Sequence, residues 1–426
     1  MTGESGSRGP HRYRAVFADR RVRQAAAGAL IGRLAQTIMP LALLLAGQQR
    51  LNGFTAAGVV VATYALATAA GAPAVARLTD RWGVPAFVGF AAVSAAATVG
   101  LAINRTATAM IACAAVAGLS APPLGASLRA VIVRVLPQRI HTTALSLDSV
   151  ATEVLLIVGP TTAGLAAAIA APSVALLGCA TLMLIGALVF VPTVAGRSSS
   201  PTRANRRRLL SAAVLRSLLP VLAVTTALTF AIGVVEVSVT ARATDWQGVG
   251  SAGVLLGFWA LGSVAGGLIY GSRDWPGSPG GHALLLLPAV GLGFASLLLA
   301  GNVVMMCPLM VLAGVGVAPA LTNLARLVAS RTRNGSDTEA FAWLGASTAL
   351  GGAAGVAVAG TIVDRWSAGT GLVTAATLTV ATTVLVPLLH DKSASGETQS
   401  AATPSGAEPA GPSSPTQRLS NEQPIA

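Results

Sequence analysis

Long apolar runs alternate with short polar breaks along this chain, and the run lengths carry the first information. A helix needs about 20 apolar residues to cross the hydrocarbon of a bilayer. Breaking the sequence at charge and turn clusters gives twelve such runs, over 22–46, 55–78, 84–103, 107–134, 142–170, 173–194, 212–239, 251–272, 283–301, 303–330, 338–363 and 370–389. Helices are expected because a spanning segment must satisfy its backbone polar groups internally. Breaks such as Ala171-Pro172-Ser173 and Gly301-Asn302 are so short that the helices they join must run antiparallel and adjacent.

The pattern also repeats. Ala57 to Gly71 returns, altered but legible, as Ala252 to Gly266, a constant offset of 195. A second echo sets Ala121-Pro122-x-Leu124-x4-Arg129 against Ala318-Pro319-x-Leu321-x4-Arg326, offset 197. Two echoes at nearly one offset imply a duplicated half-molecule. The predicted class is therefore an all-α membrane protein of twelve transmembrane helices in two six-helix bundles. Expected segments are an N-terminal tail over 1–21, bundles over 22–195 and 212–389, a linker over 196–211, and a disordered tail over 390–426.

Composition agrees with burial in lipid. Of 426 residues, 53% are hydrophobic and 10% charged, with mean hydropathy +0.70. A soluble domain carries about 25% charged residues, so too little polar surface remains to cover a water-exposed globule. The net charge of +13 comes almost wholly from arginine, clustered between apolar runs. That placement reads as a topology signal, not as a nucleic-acid face. With the N-terminus inside, only Arg50, Arg105, Arg242 and Arg365 fall in segments on the far side. Both termini and the linker are thus expected in the cytoplasm. Residues 1–20 lack the apolar core of a removable signal peptide. Cys113, Cys179 and Cys307 have no ligand spacing, so neither a disulfide, a metal site nor a cofactor is expected.

One loop carries a recognisable motif. Between spans 2 and 3 stands Ala76-Arg77-Leu78-Thr79-Asp80-Arg81-Trp82-Gly83. It resembles the loop motif of the major facilitator superfamily, Gly-x-Leu-Ala-Asp-Arg-x-Gly-Arg-Lys, at Leu78, Asp80, Arg81 and Gly83. Ala76 replaces the leading Gly, and Val84-Pro85 the terminal basic pair. A decayed copy, Gly271-Ser272-Arg273-Asp274-Trp275-Pro276-Gly277, follows span 8. The resemblance implies a latch in which Asp80 helps to hold the two bundles together on the inner side. Gly32-Arg33-Leu34, Leu147-Asp148 through Glu153 to Gly159-Pro160, and Thr338-Glu339-Ala340-Phe341 are similar to a bacterial multidrug and metabolite efflux branch. Two departures stand against it. The span-5 antiporter pattern has Leu155 and Ala163 where glycines belong, and Ala114 stands where the branch carries a span-4 Arg.

Ionisable residues within the runs are the candidate chemistry, because each is costly in hydrocarbon unless paired or facing water. They are Arg33, Arg129, Asp148, Glu153, Glu236, Arg326 and Glu339. At 1.5 Å per residue, Arg33 and Glu153 lie at the same depth, roughly 16 Å from the inner end. Arg129 and Asp148 share a shallower level. Expected ion pairs are Arg33–Glu153, Arg129–Asp148 and Arg326–Glu339. Glu153, Glu236 and Asp148 are candidate proton carriers, the alternatives being a structural clamp for Asp148 and a wet vestibule for Glu236. Arg33, Arg129, Arg326 and Asn323 are candidates for the substrate cavity. Pro40, Pro73, Pro122, Pro123, Pro160, Pro308 and Pro319 are candidate helix breakers, and Gly262-x3-Gly266 and Gly351-Gly352-x2-Gly355 are candidate close-packing faces.

The resemblance implies a secondary transporter of a bacterial inner membrane, exporting a small amphipathic molecule against proton entry. Proton-coupled uptake of a sugar, amino acid or organic anion, or a transport-inactive sensor or scaffold, remain the alternatives. No Gly-x4-Gly-Lys-Ser/Thr loop or hydrolase motif occurs, so neither ATP-driven transport nor an enzyme is expected. The expected partners are the substrate, protons and membrane lipid, with no nucleic acid, for a monomeric protein.

Overall fold

Helices account for nearly all of the computed structural model, which describes residues 10–51, 54–195, 212–247, 249–332 and 337–389. The linker and the tail beyond Leu389 lie outside the described residues. A short helix α1 (Pro10–Val16) precedes the first half, which comprises α2 (Arg20–Leu51), α3 (Phe54–Trp82), α4 (Val84–Ile103), α5 (Ala107–Leu119), α6 (Leu124–Val135), α7 (His141–Ile169) and α8 (Pro172–Ala195). The second half holds α9 (Ala212–Gln247), α10 (Val249–Gly271), α11 (Pro279–Ser296), α12 (Val303–Val315), α13 (Val317–Arg331), α14 (Asp337–Arg365) and α15 (Ala368–Ala381). Taken with the 3-10 segments that extend them, these form twelve helices long and apolar enough to cross a membrane.

Spans 4 and 10 are each broken into two helices, α5/α6 and α12/α13. The span-4 break falls on Ala121-Pro122 of the second sequence echo, and the span-10 break at Gly316, just before the matching Ala318-Pro319 in the first turn of α13. In span 4 the freed Pro122 carbonyl accepts a hydrogen bond from Gln36 Nε2 of α2 at 3.1 Å, which spares a buried acceptor its desolvation cost. By contrast, Pro40, Pro73, Pro160 and Pro308 lie inside continuous helices.

The first echo has a packing cause. A Cβ on Gly71 would collide with the Leu119 carbonyl, and one on Gly118 with the Tyr64 carbonyl. In the second half Gly266 meets the Val315 carbonyl and Gly314 meets that of Trp259 in the same manner. Span 2 therefore packs on span 4 as span 8 packs on span 10, with backbones too close for any side chain. Gly351 and Gly355 seat α14 against α9 at Thr226 and Phe230.

Within the first half α2 packs on α8, α7 and α3, and within the second α9 packs on α14 and α15. Phe87 stacks on Phe190 and Trp259 on Phe294, each pair with centroids 5.5 Å apart. Large apolar side chains such as Leu285, Leu292 and Val304 stand exposed on the outer faces. That would be a liability in water and is the expected surface against lipid. The halves meet through α3 against α14, α6 against α14, and α7 against α10 and α13.

Candidate functional site

Between the halves lies a cavity of about 330 Å³. Span 5 contributes Thr152 and Glu153, span 7 contributes Thr225, Thr229 and Glu236, span 8 contributes Trp259, and Arg129 enters from span 4. Two carboxylates thus share one chamber and repel each other when both are ionised. Glu153 accepts a hydrogen bond from Ser263 Oγ of α10 at 3.0 Å, a link that crosses between the halves. Glu236 is exposed into the cavity.

Beside the chamber sits a buried ionic cluster. Asp148 Oδ1 accepts from Arg33 Nη1 at 2.5 Å and Oδ2 from Arg129 Nε at 2.6 Å. Thr152 Oγ1 is bonded by Arg33 Nη2 and itself donates to the Asp148 carbonyl at 2.8 Å. One fully buried carboxylate therefore serves two guanidiniums, and the cluster keeps one net positive charge.

Two of the expected pairings are corrected. Arg33 pairs with Asp148, not with Glu153. The two residues share a depth by residue count, but helical side chains lean toward the helix N-terminus. A long arginine on α2 thereby carries its charge down to the level of Asp148. Arg326 does not pair with Glu339. It turns toward α10 and α11, where Nη1 donates to Tyr270 Oη at 3.1 Å and contacts His282 Nδ1 at 3.3 Å. Glu339 instead receives Arg77 of α3. Arg129 meets Asp148 as the spacing predicts.

Of the candidate cavity residues, Arg129 lines the chamber, whereas Arg33, Arg326 and Asn323 lie outside its lining. Asn323 is buried, accepts from Tyr270 Oη at 3.5 Å and donates to the Pro279 carbonyl at 2.9 Å. Of the other polar residues of the central spans, Thr322 is turned to Ser149 Oγ, 3.1 Å away.

One end of the chamber is shut by polar contacts between the halves. Arg77 Nη2 and Nε both donate to Glu339 Oε1, at 2.5 and 3.0 Å. Arg134 Nε donates to Asp337 Oδ2 at 2.7 Å. Thr143 Oγ1 donates to the Gly271 carbonyl at 2.6 Å, and Ser146 Oγ bonds that of Gly267. Arg12 of α1 reaches Asp274 in the loop after span 8, and Tyr13 Oη donates to the Leu268 carbonyl at 2.5 Å. Glu339 and Asp337 occupy the first turn of α14, where a helix dipole favours negative charge.

The loop motif closes α3 at this same end. Leu78 and Asp80 are half-buried, Arg81 is exposed, and Gly83 turns the chain at φ +71° into α4. A side chain in that backbone region is strained, which explains why glycine holds the position.

The family profile described as Major Facilitator Superfamily matches residues 25–273, more than half of the chain. This chain belongs to the Major Facilitator Superfamily. Its fold is shared by the human organic anion transporter MFSD10 (TETRAN), with TM-score 0.70 at 18% identity, covering 88% of this chain and all of that one. The Escherichia coli fucose:proton symporter FucP is also similar, with TM-score 0.63 at 10% identity over 87% of this chain and 98% of that one. A second structure of a major facilitator transporter, FucP in the outward conformation, gives TM-score 0.62 at 12% identity, over 87% and 99% of the two chains. Comparison with curated protein sequences finds no match. The protein is thus a multi-pass secondary transporter of this superfamily.

Several residues of the transporter escaped the sequence reading. Arg12, Arg77, Arg134 and Asp337 read as loop charges, although placement near span ends was a usable signal. Ser263 was hidden inside an apolar run and carried no signal of its own, and Trp259 stood out only as the match of Tyr64 in the internal repeat.

Proposed function

We propose that this transporter couples the movement of a small amphipathic molecule to a proton, in the direction of export from a bacterial cell. The observation that carries the coupling is the placement of Glu153 and Glu236 in one chamber between the halves. Two carboxylates in a confined, largely apolar space favour holding a proton between them. Substrate binding, or separation of Glu153 from Ser263 as the halves rock, changes that preference and moves the proton. Asp148 is a poor carrier by the same reasoning, since two arginines hold it ionised; it acts as the clamp.

The lining supports the substrate class. Trp259, Leu156, Leu321 and Leu344 offer apolar surface, while the threonines and carboxylates offer polar anchors. The lining holds two carboxylates, Glu153 and Glu236, against one guanidinium, Arg129, so the chamber suits a neutral or cationic amphipath better than an anion. Alternating access follows from rocking of the halves about this site, with the contacts around Arg77–Glu339 opening as the opposite end closes. The topology signal sets that end in the cytoplasm, with both termini.

Uptake is the second reading, favoured by the likeness to a fucose:proton symporter. Inside-out vesicles bearing a pH-sensitive dye separate the two. Addition of a lipophilic cation should discharge an imposed proton gradient in an exporter and leave it untouched in a symporter. Glu236→Gln and Glu153→Gln are each expected to abolish the discharge. Proton movement unchanged in both would remove the carboxylates from coupling.

A further inference from the structure

Apart from the central chamber, a second cavity of about 260 Å³ lies where the loop between spans 4 and 5 faces spans 9 and 10. Val133, Gln138 and His141 of the first half line it, with Pro279, Arg326, Ala329 and Ser330 of the second. We infer that this cavity is a binding site for a small oxyanion of the phosphate type, held by the Arg326 guanidinium.

The argument begins from the internal repeat. Arg129 and Arg326 are equivalent positions at offset 197. Arg129 has its counter-charge in Asp148. At the same offset from Asp148 stands Gly345, which has no side chain to serve Arg326. Among the described residues no carboxylate lies within 4 Å of Arg326. Arg326 is half-buried, and a guanidinium partly withdrawn from water favours an anion beside it.

Its surroundings hold it in place without neutralising it. Nη1 is fixed by Tyr270 Oη and His282 Nδ1. His282 Nε2 donates to the Pro276 carbonyl at 2.9 Å, which fixes the ring with Nδ1 toward Arg326. Tyr270 Oη lies within hydrogen-bond distance of that Nδ1, at 2.9 Å. Nε and Nη2 of Arg326 make no hydrogen bond to a described residue, so the planar fork that matches an oxyanion is unspent. His141 stands close enough to feel the charge of Arg326. Its Nε2 donates to the Leu136 carbonyl at 2.8 Å, which holds the ring in the lining of the cavity. The Gln138 amide completes a donor-rich lining.

Because both halves line the cavity, an occupant would touch both and favour the arrangement in which this end is shut. A free phosphate and the phosphate of an anionic lipid present the same chemistry, and the experiment separates them. The full-length protein is purified in an uncharged detergent and titrated with inorganic phosphate. Melting temperature and equilibrium dialysis of labelled phosphate are followed together. In parallel, melting temperatures are compared in phosphatidylcholine nanodiscs with and without phosphatidylglycerol.

Saturable phosphate binding that raises the melting temperature, weakened about tenfold or more by Arg326→Gln, supports the site with a free anion as occupant. A gain confined to phosphatidylglycerol discs and lost in the variant supports it with a lipid headgroup. Ala329→Phe fills the cavity while keeping the guanidinium and should lose the response equally, so the site stays testable if Arg326→Gln does not fold. No saturable response in either arm, or a response retained by either folded variant, overturns the inference.

Discussion

The Glu339 carboxylate, 3% exposed in the first turn of α14, is gripped through one oxygen by both Nη2 and Nε of Arg77 at the end of α3. This contact joins the two halves beside the loop motif. Glu339 is the buried partner and Arg77 the half-exposed one, so water screens the attraction across the halves only in part. Arg77→Gln should therefore weaken closure of this end by about tenfold, equivalent to ~1.4 kcal/mol. The readout is labelling of Val150→Cys, at the α7–α10 contact, by a soluble maleimide after Cys113, Cys179 and Cys307 are replaced. Exchange of the pair, Arg77→Glu with Glu339→Arg, should bring labelling back toward the starting rate. Equal labelling in all three proteins would deny the contact any role in closure.

Asp148 sustains two arginines at once, and its loss strands both. Asp148→Asn is expected to cost about 3–5 kcal/mol, the range for breaking a buried pair. Arg33→Gln leaves Asp148 with Arg129 and should cost visibly less. Thermal melts in detergent rank the two, and a more severe loss in Arg33→Gln would contradict the shared arrangement.

The close approach of span 8 to span 10 tolerates no side chain at Gly266. Gly266→Val should destabilise by roughly 3 kcal/mol or more, through overpacking against the Val315 carbonyl. Gly71→Val should behave alike in the first half, where Leu119 is the obstacle. At Gly257 a Cβ meets nothing within 4 Å, so Gly257→Ala should be neutral or slightly stabilising. Monodisperse yield and melting temperature report all three.

Gly83 is a test of the motif turn. Its φ of +71° predicts that Gly83→Ala costs about 1–2 kcal/mol. No neighbour lies within 4 Å of a Cβ there, so the cost is conformational alone. Gly83→Asn should not recover it, because ψ of −140° lies outside the left-handed helical region that asparagine tolerates. A melting temperature equal to the parent for Gly83→Ala would show that the turn relaxes freely.

The twelve spans, the two-bundle fold class and the superfamily were all legible in the amino-acid order. Span length, arginine placement and glycine spacing are local properties, set by bilayer thickness, interface charge and backbone approach along one helix pair. Gly71 and Gly266 kept their identity because each faces a carbonyl that a methyl would strike. The Arg129–Asp148 pair was likewise readable, since its two residues belong to consecutive helices joined by a short turn.

The partners of Arg33, Glu153, Arg326 and Glu339 were decided only by the tertiary structure. Depth along a helix does not say toward which neighbour a side chain turns, nor how far a long arginine leans toward its helix N-terminus. Arg33 met Asp148 and not Glu153, the residue at its own counted depth. Glu339 met Arg77 because α3 and α14 face each other across the halves, a relation between residues 262 positions apart that no local pattern encodes. Sequence alone determined what must lie in the membrane; three-dimensional packing determined which charges share the same space there, because charge pairing depends on helix rotation and not on helix length.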